Sequence, residues 1–259
     1  MSEISLPVPG LGMPRMDAPR AALRQLFQRT PQHSITAAGT RLYQGEGQPV
    51  LVFPRQRTGP ESTAALRELL AQAGFRPHDW GHGVNEGPGA MGLNRWLRKL
   101  EECVIDTFEV TQAPVTLLGW GLSGIYAREL AKRANPLVRQ VITLGTPFNT
   151  AADPQRQCPL VAMLDSGPER MPLAVRQRLR QRPPVPCTSI YSRDDGVVRW
   201  QQCVDHDGTD CEHIELTGIP HEELATHPQV LEIVTHRLAQ PEDVWQPFAA
   251  TGRASALHA

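Results

Sequence analysis

Three short runs of apolar residues constrain the fold of this chain more than any other feature. They lie at 50–53, 115–118 and 141–144, are rich in β-branched residues, and each is followed directly by proline or glycine. Continuous runs of this length are typical of strands that are covered on both faces. Two weaker candidate strands follow at 188–191 and 213–216. The sequence therefore predicts a buried sheet.

Helical segments alternate with these runs. They lie at 61–73, at 93–108, from about Ile125 to just before Pro136, and at 230–238. This alternation predicts right-handed crossovers and a mostly parallel central sheet flanked by helices, which is the α/β class. A chain of 259 residues is long enough to bury one such core. We therefore predict a single domain at 36–250.

The two ends and one internal segment depart from the alternation. Residues 1–35 are predicted to form an N-terminal tail and a helix, and residues 251–259 a disordered tail. Residues 149–186 contain no strand-like run and one predicted helix, at 173–180. We interpret this segment as a lid-like insertion above the carboxyl edge of the sheet. A plain crossover helix with a long loop is the alternative interpretation.

Composition argues against several classes of partner. The formal net charge is −1 and the basic residues are scattered, which argues against binding to nucleic acid. No apolar run is long enough to cross a bilayer, and the proline-rich start lacks the apolar segment of a signal peptide. We therefore expect no transmembrane segment, a cytoplasmic location and reduced cysteines.

The most informative stretch is the glycine-dense turn at 119–124, which has the sequence G-W-G-L-S-G. A predicted strand leads into it and a predicted helix begins directly after it. This is the context of a nucleophile elbow, in which a G-x-S-x-G pattern holds a catalytic serine in a strained turn at the edge of the sheet. The flanking glycines are needed there because the strand and the helix approach each other closely.

Further motifs lie on both sides of this turn. They are W-G-H-G-V-N at 80–85, Y-A-R-E-L-A at 126–131 and L-G-T-P-F at 144–148. Together they resemble a bacterial family of esterase/lipase-like α/β-hydrolases, whose members carry G-W-S-L-G-G at the elbow. The likeness extends from about residue 49 to residue 248. It implies the α/β-hydrolase fold and hydrolysis of carboxylic esters by a serine, an acid and a histidine.

The departure from this family lies at the nucleophile. Aligned on the flanking glycines, the nucleophile position is occupied by Gly121, which has no side chain and so cannot form an acyl-enzyme. Ser123 lies two positions later. A turn shifted to centre on Ser123 would make it the nucleophile. The alternative is that Ser123 packs or hydrogen-bonds at the start of the helix.

The resemblance also assigns an acid and a base in the expected order along the chain. The S-R-D-D-G-V-V segment at 192–198 matches the family pattern with Asp195 as the acid, although a capping role in the turn is the alternative. His221 matches the general base, and His227 is a rival. An acid in this position fixes the tautomer of the imidazole and stabilises its charged form.

The oxyanion hole of such a site needs two backbone N–H groups. The resemblance places one on Leu122, directly after the nucleophile position, and the other on Gln56, in the loop after the first strand. Arg55 stands in that loop where the family has a glycine, and we expect the position to require a positive φ. This is a second departure from the family, independent of Gly121.

One cluster outside the elbow contains metal-ligating residue types. Cys203, His206, Cys211 and His213 follow a C-x2-H-x4-C-x-H spacing, which is not a standard zinc pattern. A metal site, a disulfide between Cys203 and Cys211, and free thiols all remain open, with free thiols preferred. We assign no metal and no cofactor.

These observations lead to one functional expectation and one alternative. The protein is expected to retain the acid and the histidine but to be weakly catalytic or non-catalytic, binding a small acyl or ester ligand or a protein partner. The alternative is an active carboxylic ester hydrolase that uses Ser123 or a water molecule activated by the acid–histidine pair.

Overall fold

Eight β-strands lie in the described part of a computed structural model, which covers residues 32–36, 39–150, 158–165, 171–204, 210–242 and 245–248. Their bounds are β1 (His33–Ile35), β2 (Arg41–Tyr43), β3 (Pro49–Phe53), β4 (Arg76–Asp79), β5 (Val115–Trp120), β6 (Val138–Leu144), β7 (Cys187–Ser192) and β8 (Cys211–Leu216). β1 and β2 form a small antiparallel sheet. The other six strands pair in the order β4-β3-β5-β6-β7-β8, and every pair is parallel. The predicted parallel sheet is confirmed.

The described helices lie at the predicted positions, except for one short helix at 159–162 that was not predicted, and the last helix follows the last strand. Their bounds are α1 (Ala64–Gln72), α2 (Leu93–Thr111), α3 (Ser123–Arg133), α4 (Pro159–Ala162), α5 (Leu173–Arg180) and α6 (Pro228–Ala239). Consecutive parallel strands require a crossover, and α1, α2 and α3 supply the first three, α1 on one face of the sheet and α2 and α3 on the other. Among the described residues, no helix is long and apolar enough to span a bilayer.

The sheet is covered on both faces, because alternate residues of each strand point to opposite sides. Leu51 and Phe53 of β3 pack in one apolar cluster with α2 and α3. Val50 and Val52 pack in a second cluster with α1 and α6. All four side chains are fully buried. Burial of one such side chain is worth about 1.5–3 kcal/mol, so the central strands are firmly held.

Strand β4 is the element of the central sheet that the sequence analysis did not identify. It has the sequence R-P-H-D, without the apolar run that marks the other strands. It lies at the edge of the sheet and pairs only with β3. Proline is tolerated at such an edge because one side of the strand needs no ladder hydrogen bonds.

The segment at 149–186 connects β6 to β7, and its described part includes helices and no strand. It contains α4 and α5, and α5 matches the predicted helix at 173–180. Residues 151–157 and 166–170 lie outside the described residues. The predicted tail and helix at 1–35 fall outside them up to residue 31, and so does the predicted tail at 251–259. The domain limits therefore remain predictions.

Candidate functional site

The turn after β5 has the backbone of a nucleophile elbow. Gly121 adopts a φ of +59°, in the left-handed region, and its N–H donates to the carbonyl of Leu144 at 2.8 Å. A Cβ atom at Gly119 would lie 2.6 Å from the backbone of Gly124, so glycine is needed where the strand and the helix meet. The glycine-dense sequence therefore folds into a sharp bend at the carboxyl edge of the sheet.

Asp195 and His221 lie together opposite this bend. Asp195 follows β7 and His221 follows β8, and both side chains are about 2% exposed. The Asp195 carboxylate oxygen Oδ2 is 2.7 Å from Nδ1 of His221. The backbone joins the same two residues, because the N–H of His221 donates to the carbonyl of Asp195 at 2.9 Å. The two residues that the sequence analysis assigned as acid and base form a buried pair.

Neighbouring groups fix both members of this pair. The other carboxylate oxygen of Asp195, Oδ1, accepts hydrogen bonds from the N–H groups of Val197 and Val198. The indole N–H of Trp120 donates to the carbonyl of His221 at 3.1 Å. Because Asp195 is acceptor-only when ionised, it holds a hydrogen on Nδ1 of His221 and leaves Nε2 with a free lone pair.

The free nitrogen of His221 faces Gly121. A Cβ atom built on Gly121 would lie 3.1 Å from Nε2 of His221 and 3.9 Å from a methyl group of Leu160. A side chain at position 121 would therefore point at the imidazole, as a nucleophile must. Position 121 is the residue of the turn that faces the histidine, and it carries no side chain.

Ser123 points elsewhere. Its hydroxyl donates to the carbonyl of Pro54 at 2.6 Å and accepts from the side-chain amide of Asn85 at 2.8 Å. The side chain is completely buried. No hydrogen bond joins Ser123 to His221 among the described residues. The hydroxyl, at the start of α3, is thus committed to the loops that follow β3 and β4.

The two N–H groups assigned to the oxyanion hole lie at the ends of neighbouring strands. β3 and β5 pair in parallel with Phe53 opposite Gly119, so the loop that contains Gln56 lies beside the elbow that contains Leu122. Within the described residues, neither of these two N–H groups has an acceptor. Unpaired N–H groups in such a position are available to a ligand oxygen.

Solved structures of low sequence identity share this architecture. One is a chain from the structure of the metagenome-derived lipolytic enzymes LipS and LipT, at 18% identity over 80% of this chain and 94% of that chain, with a TM-score of 0.54. The Bacillus licheniformis lipase BlEst2 matches at 11% identity over 76% and 93%, with a TM-score of 0.57. A Bacillus anthracis bromoperoxidase matches at 13% identity over 79% and 98%, with a TM-score of 0.50.

The chain has the α/β-hydrolase fold. No protein-family model matches the sequence, and no curated protein matches it. Likeness at these identities shows the fold but not the activity, because one fold supports many chemistries. Any activity of this protein depends instead on the chemistry of the elbow and of the acid–histidine pair.

Arg55 in the loop after β3 is engaged by groups of the same protein. Its guanidinium is 3.1 Å from the carboxylate of Glu222 and lies over the ring of Trp120, 5.1 Å from the centroid. The expectation of a positive φ at position 55 is wrong, because the left-handed residue of this loop is Arg57, with a φ of +62°. Arg55 thus bridges the loop after β3 and the loop that contains His221.

The candidate metal cluster is not assembled by the described residues. No disulfide joins Cys203 to Cys211, so the disulfide alternative is contradicted. Burial raises the pKa of the Cys203 thiol well above its ordinary value, and nearby Asp195 adds to the effect. No group of three or more candidate ligands occurs in the described part of the chain, and His206 lies outside it.

Three residues of the site have no assigned role in the sequence analysis. Asn85 links the carbonyl of Pro54 to Ser123, Trp120 holds the backbone of His221, and Leu160 lies beside Gly121. The W-G-x-G-x-N motif was the available signal for Asn85, because a buried asparagine after a glycine-rich turn usually bonds to backbone. Nothing local marks Leu160, since its position depends on the path of the 149–186 segment.

Proposed function

We propose that this protein uses an α/β-hydrolase site to bind a small acyl or ester ligand without forming an acyl-enzyme. The observation that carries the proposal is the geometry at Gly121. The turn, the histidine and the acid have the arrangement of a hydrolase, yet the position that faces Nε2 of His221 carries no side chain. Covalent catalysis at this position requires a nucleophile, and glycine supplies none.

The groups that recognise an acyl ligand are nevertheless retained. The unpaired N–H groups of Leu122 and Gln56 suit a carbonyl oxygen. Leu160 and the buried apolar cluster around it suit the hydrocarbon part of a ligand. A site with a few convergent polar groups and an apolar wall is typical of small-molecule binding.

The alternative in which Ser123 attacks the ligand is not supported by its contacts. Its hydroxyl would have to leave two hydrogen bonds, to Pro54 and Asn85, and reach a histidine with which it makes no contact. A nucleophile and its base are normally within hydrogen-bond reach, or close to it, before substrate binds. We therefore assign Ser123 a structural role.

Restoring the side chain tests the proposal directly. We expect the wild-type protein not to react with a fluorophosphonate probe and Gly121→Ser to be labelled at residue 121, as mapped by mass spectrometry. Because loss of the serine from a triad costs about 10⁶-fold, even partial restoration should raise hydrolysis of p-nitrophenyl butyrate by about 10³-fold or more.

Two variants control this experiment. Gly121→Ala has the same backbone strain as Gly121→Ser but no hydroxyl, so it should remain unlabelled. Gly121→Ser combined with His221→Ala should lose the gain. Labelling of the wild-type protein at Ser123 would refute the proposal. A folded Gly121→Ser protein that stays unlabelled would refute the claim that the rest of the site is retained.

A further inference from the structure

The imidazole of His221 presents an acceptor with no partner. Nδ1 is occupied by Asp195 at 2.7 Å, and within the described residues Nε2 has no hydrogen-bond donor. The His221 side chain is only 2% exposed. Nε2 nevertheless keeps some accessible surface, because it is not among the fully buried polar atoms of the described residues that lack a partner, so a donor from a ligand can reach it.

The space in front of this nitrogen is the space that the missing side chain leaves. A Cβ at Gly121 would lie 3.1 Å from Nε2 of His221, and the next nearest side chain to it is Leu160, at 3.9 Å. An O–H group that reaches Nε2 must therefore enter beside Gly121. Of the polar groups in proteins and ligands, a neutral hydroxyl fits, because it donates to Nε2 and its carbon can face Leu160.

The two N–H groups assigned to the oxyanion hole need an acceptor, whereas Nε2 of His221 needs a donor. The N–H groups of Leu122 and Gln56 have no acceptor among the described residues. In a hydrolase, these groups hold the carbonyl oxygen while the nucleophile oxygen lies against the histidine. In that arrangement the two oxygen atoms are bound to one carbon atom, so a ligand with a hydroxyl and an acceptor oxygen on the same or on adjacent carbon atoms can satisfy both sets.

The charges beside the pair favour a neutral ligand. Arg55 and Glu222, which stand on the two loops that flank the site, pair with each other at 3.1 Å. Asp195 is fully engaged by His221 and by two backbone N–H groups. An added carboxylate near His221 would therefore find no unpaired cation among these groups.

We propose that the ligand's own hydroxyl takes the place of the missing serine side chain. The ligand class is neutral hydroxylated acyl compounds, namely 2-hydroxyacyl compounds and hydrated carbonyls, with the hydroxyl donated to Nε2 of His221 and the second oxygen held by Leu122 and Gln56. This rests on the proposed function, since it assumes that the elbow site binds an acyl ligand.

A pair of ketones tests the proposal. Trifluoromethyl hexyl ketone is largely hydrated in water and carries two hydroxyls on the former carbonyl carbon, whereas methyl hexyl ketone is not. We expect calorimetry to show the wild-type protein binding the trifluoromethyl ketone about tenfold or more tightly than the methyl ketone, the gain of a well-placed hydrogen bond. Fluorine NMR should show the bound compound as the hydrate.

Two variants remove the recognition in different ways. Gly121→Ala places a methyl group where the hydroxyl should lie, and His221→Ala removes its acceptor. In both variants we expect the preference for the trifluoromethyl ketone to vanish while the methyl ketone still binds. His221→Ala keeps the test valid if Gly121→Ala does not fold.

The outcomes separate this proposal from the preceding one. Equal wild-type affinity for the two ketones, a preference that survives in Gly121→Ala, no binding of either ketone, or a bound unhydrated ketone would each overturn the hydroxyl assignment. None of these results would change the expected labelling of Gly121→Ser. Conversely, failure of that labelling with retained hydrate binding would overturn only the restoration argument.

Discussion

Replacement of Ser123 by alanine separates a structural serine from a catalytic one. The hydroxyl is completely buried and makes two hydrogen bonds, to Pro54 at 2.6 Å and to Asn85 at 2.8 Å. After its removal, Asn85 still donates to the carbonyl of Pro54 at 3.0 Å, so neither group is left without a partner. Each lost bond is worth about 0.5–1.5 kcal/mol, which gives a loss of about 1–3 kcal/mol in the free energy of unfolding.

This loss is large enough to measure by thermal and urea unfolding. For a domain of this size, 1 kcal/mol shifts Tm by about 2–4 °C, so Ser123→Ala should melt roughly 2–12 °C below the wild type. Ser189→Ala is a matched control, because its buried hydroxyl makes one bond, to the carbonyl of Cys203 at 2.7 Å. We expect it to lose about half as much.

The second part of this test uses the Gly121→Ser variant, in which the nucleophile is restored. Fluorophosphonate labelling of Gly121→Ser should persist when Ser123→Ala is added, because the two hydroxyls have different partners. The reasoning is refuted if Ser123→Ala leaves the stability unchanged, or if it abolishes the labelling of Gly121→Ser in a protein that is still folded. Either result would mean that the Ser123 hydroxyl leaves its buried contacts and reaches His221.

Three further predictions follow from contacts of the same region. Arg55→Gly removes an ion pair with the largely exposed Glu222 and a contact with the Trp120 ring, and it should lower the free energy of unfolding by no more than about 2 kcal/mol, as unfolding in urea can check. Asp195→Asn in the Gly121→Ser background should remove most of the gain in p-nitrophenyl butyrate hydrolysis, because loss of the acid from a triad costs up to about 10⁴-fold and the amide no longer selects the reactive tautomer; a loss below tenfold would contradict this role. Burial raises the pKa of the Cys103 thiol to about 11, so its alkylation by iodoacetamide should be slow at neutral pH and rise with pH until about 11, whereas a plateau near pH 8 would contradict the shift.

The fold could be predicted because its central strands have a clear signal in the sequence. β3, β5 and β6 are covered on both faces, and they appear in the sequence as apolar runs that end at glycine or proline. β4 could not be found in this way, because an edge strand with the sequence R-P-H-D has neither an apolar run nor alternation. Its position follows only from pairing with β3, which is a long-range contact.

The site was predictable where local motifs determine it. The order of the elbow, Asp195 and His221 along the chain placed the last two at the ends of neighbouring parallel strands, and they are in contact. The pairing of Arg55 with Glu222 and the approach of Leu160 to Gly121 had no such signal. Both join segments that are far apart in the sequence, and neither motif nor periodicity reports on such contacts.

The orientation of the acid–histidine pair does not depend on a side chain at residue 121, and this has a consequence for protein engineering. His221 is oriented by Asp195 and by the Trp120 indole, and the turn is fixed by the Leu144 carbonyl, so no part of this support passes through a side chain at position 121. The protein therefore offers a formed site into which a nucleophile can be introduced at residue 121. A thiol, a hydroxyl or an unnatural nucleophile can be installed at one residue and their reactivities compared, with the same small shift of the imidazole to admit the new Cβ in each case.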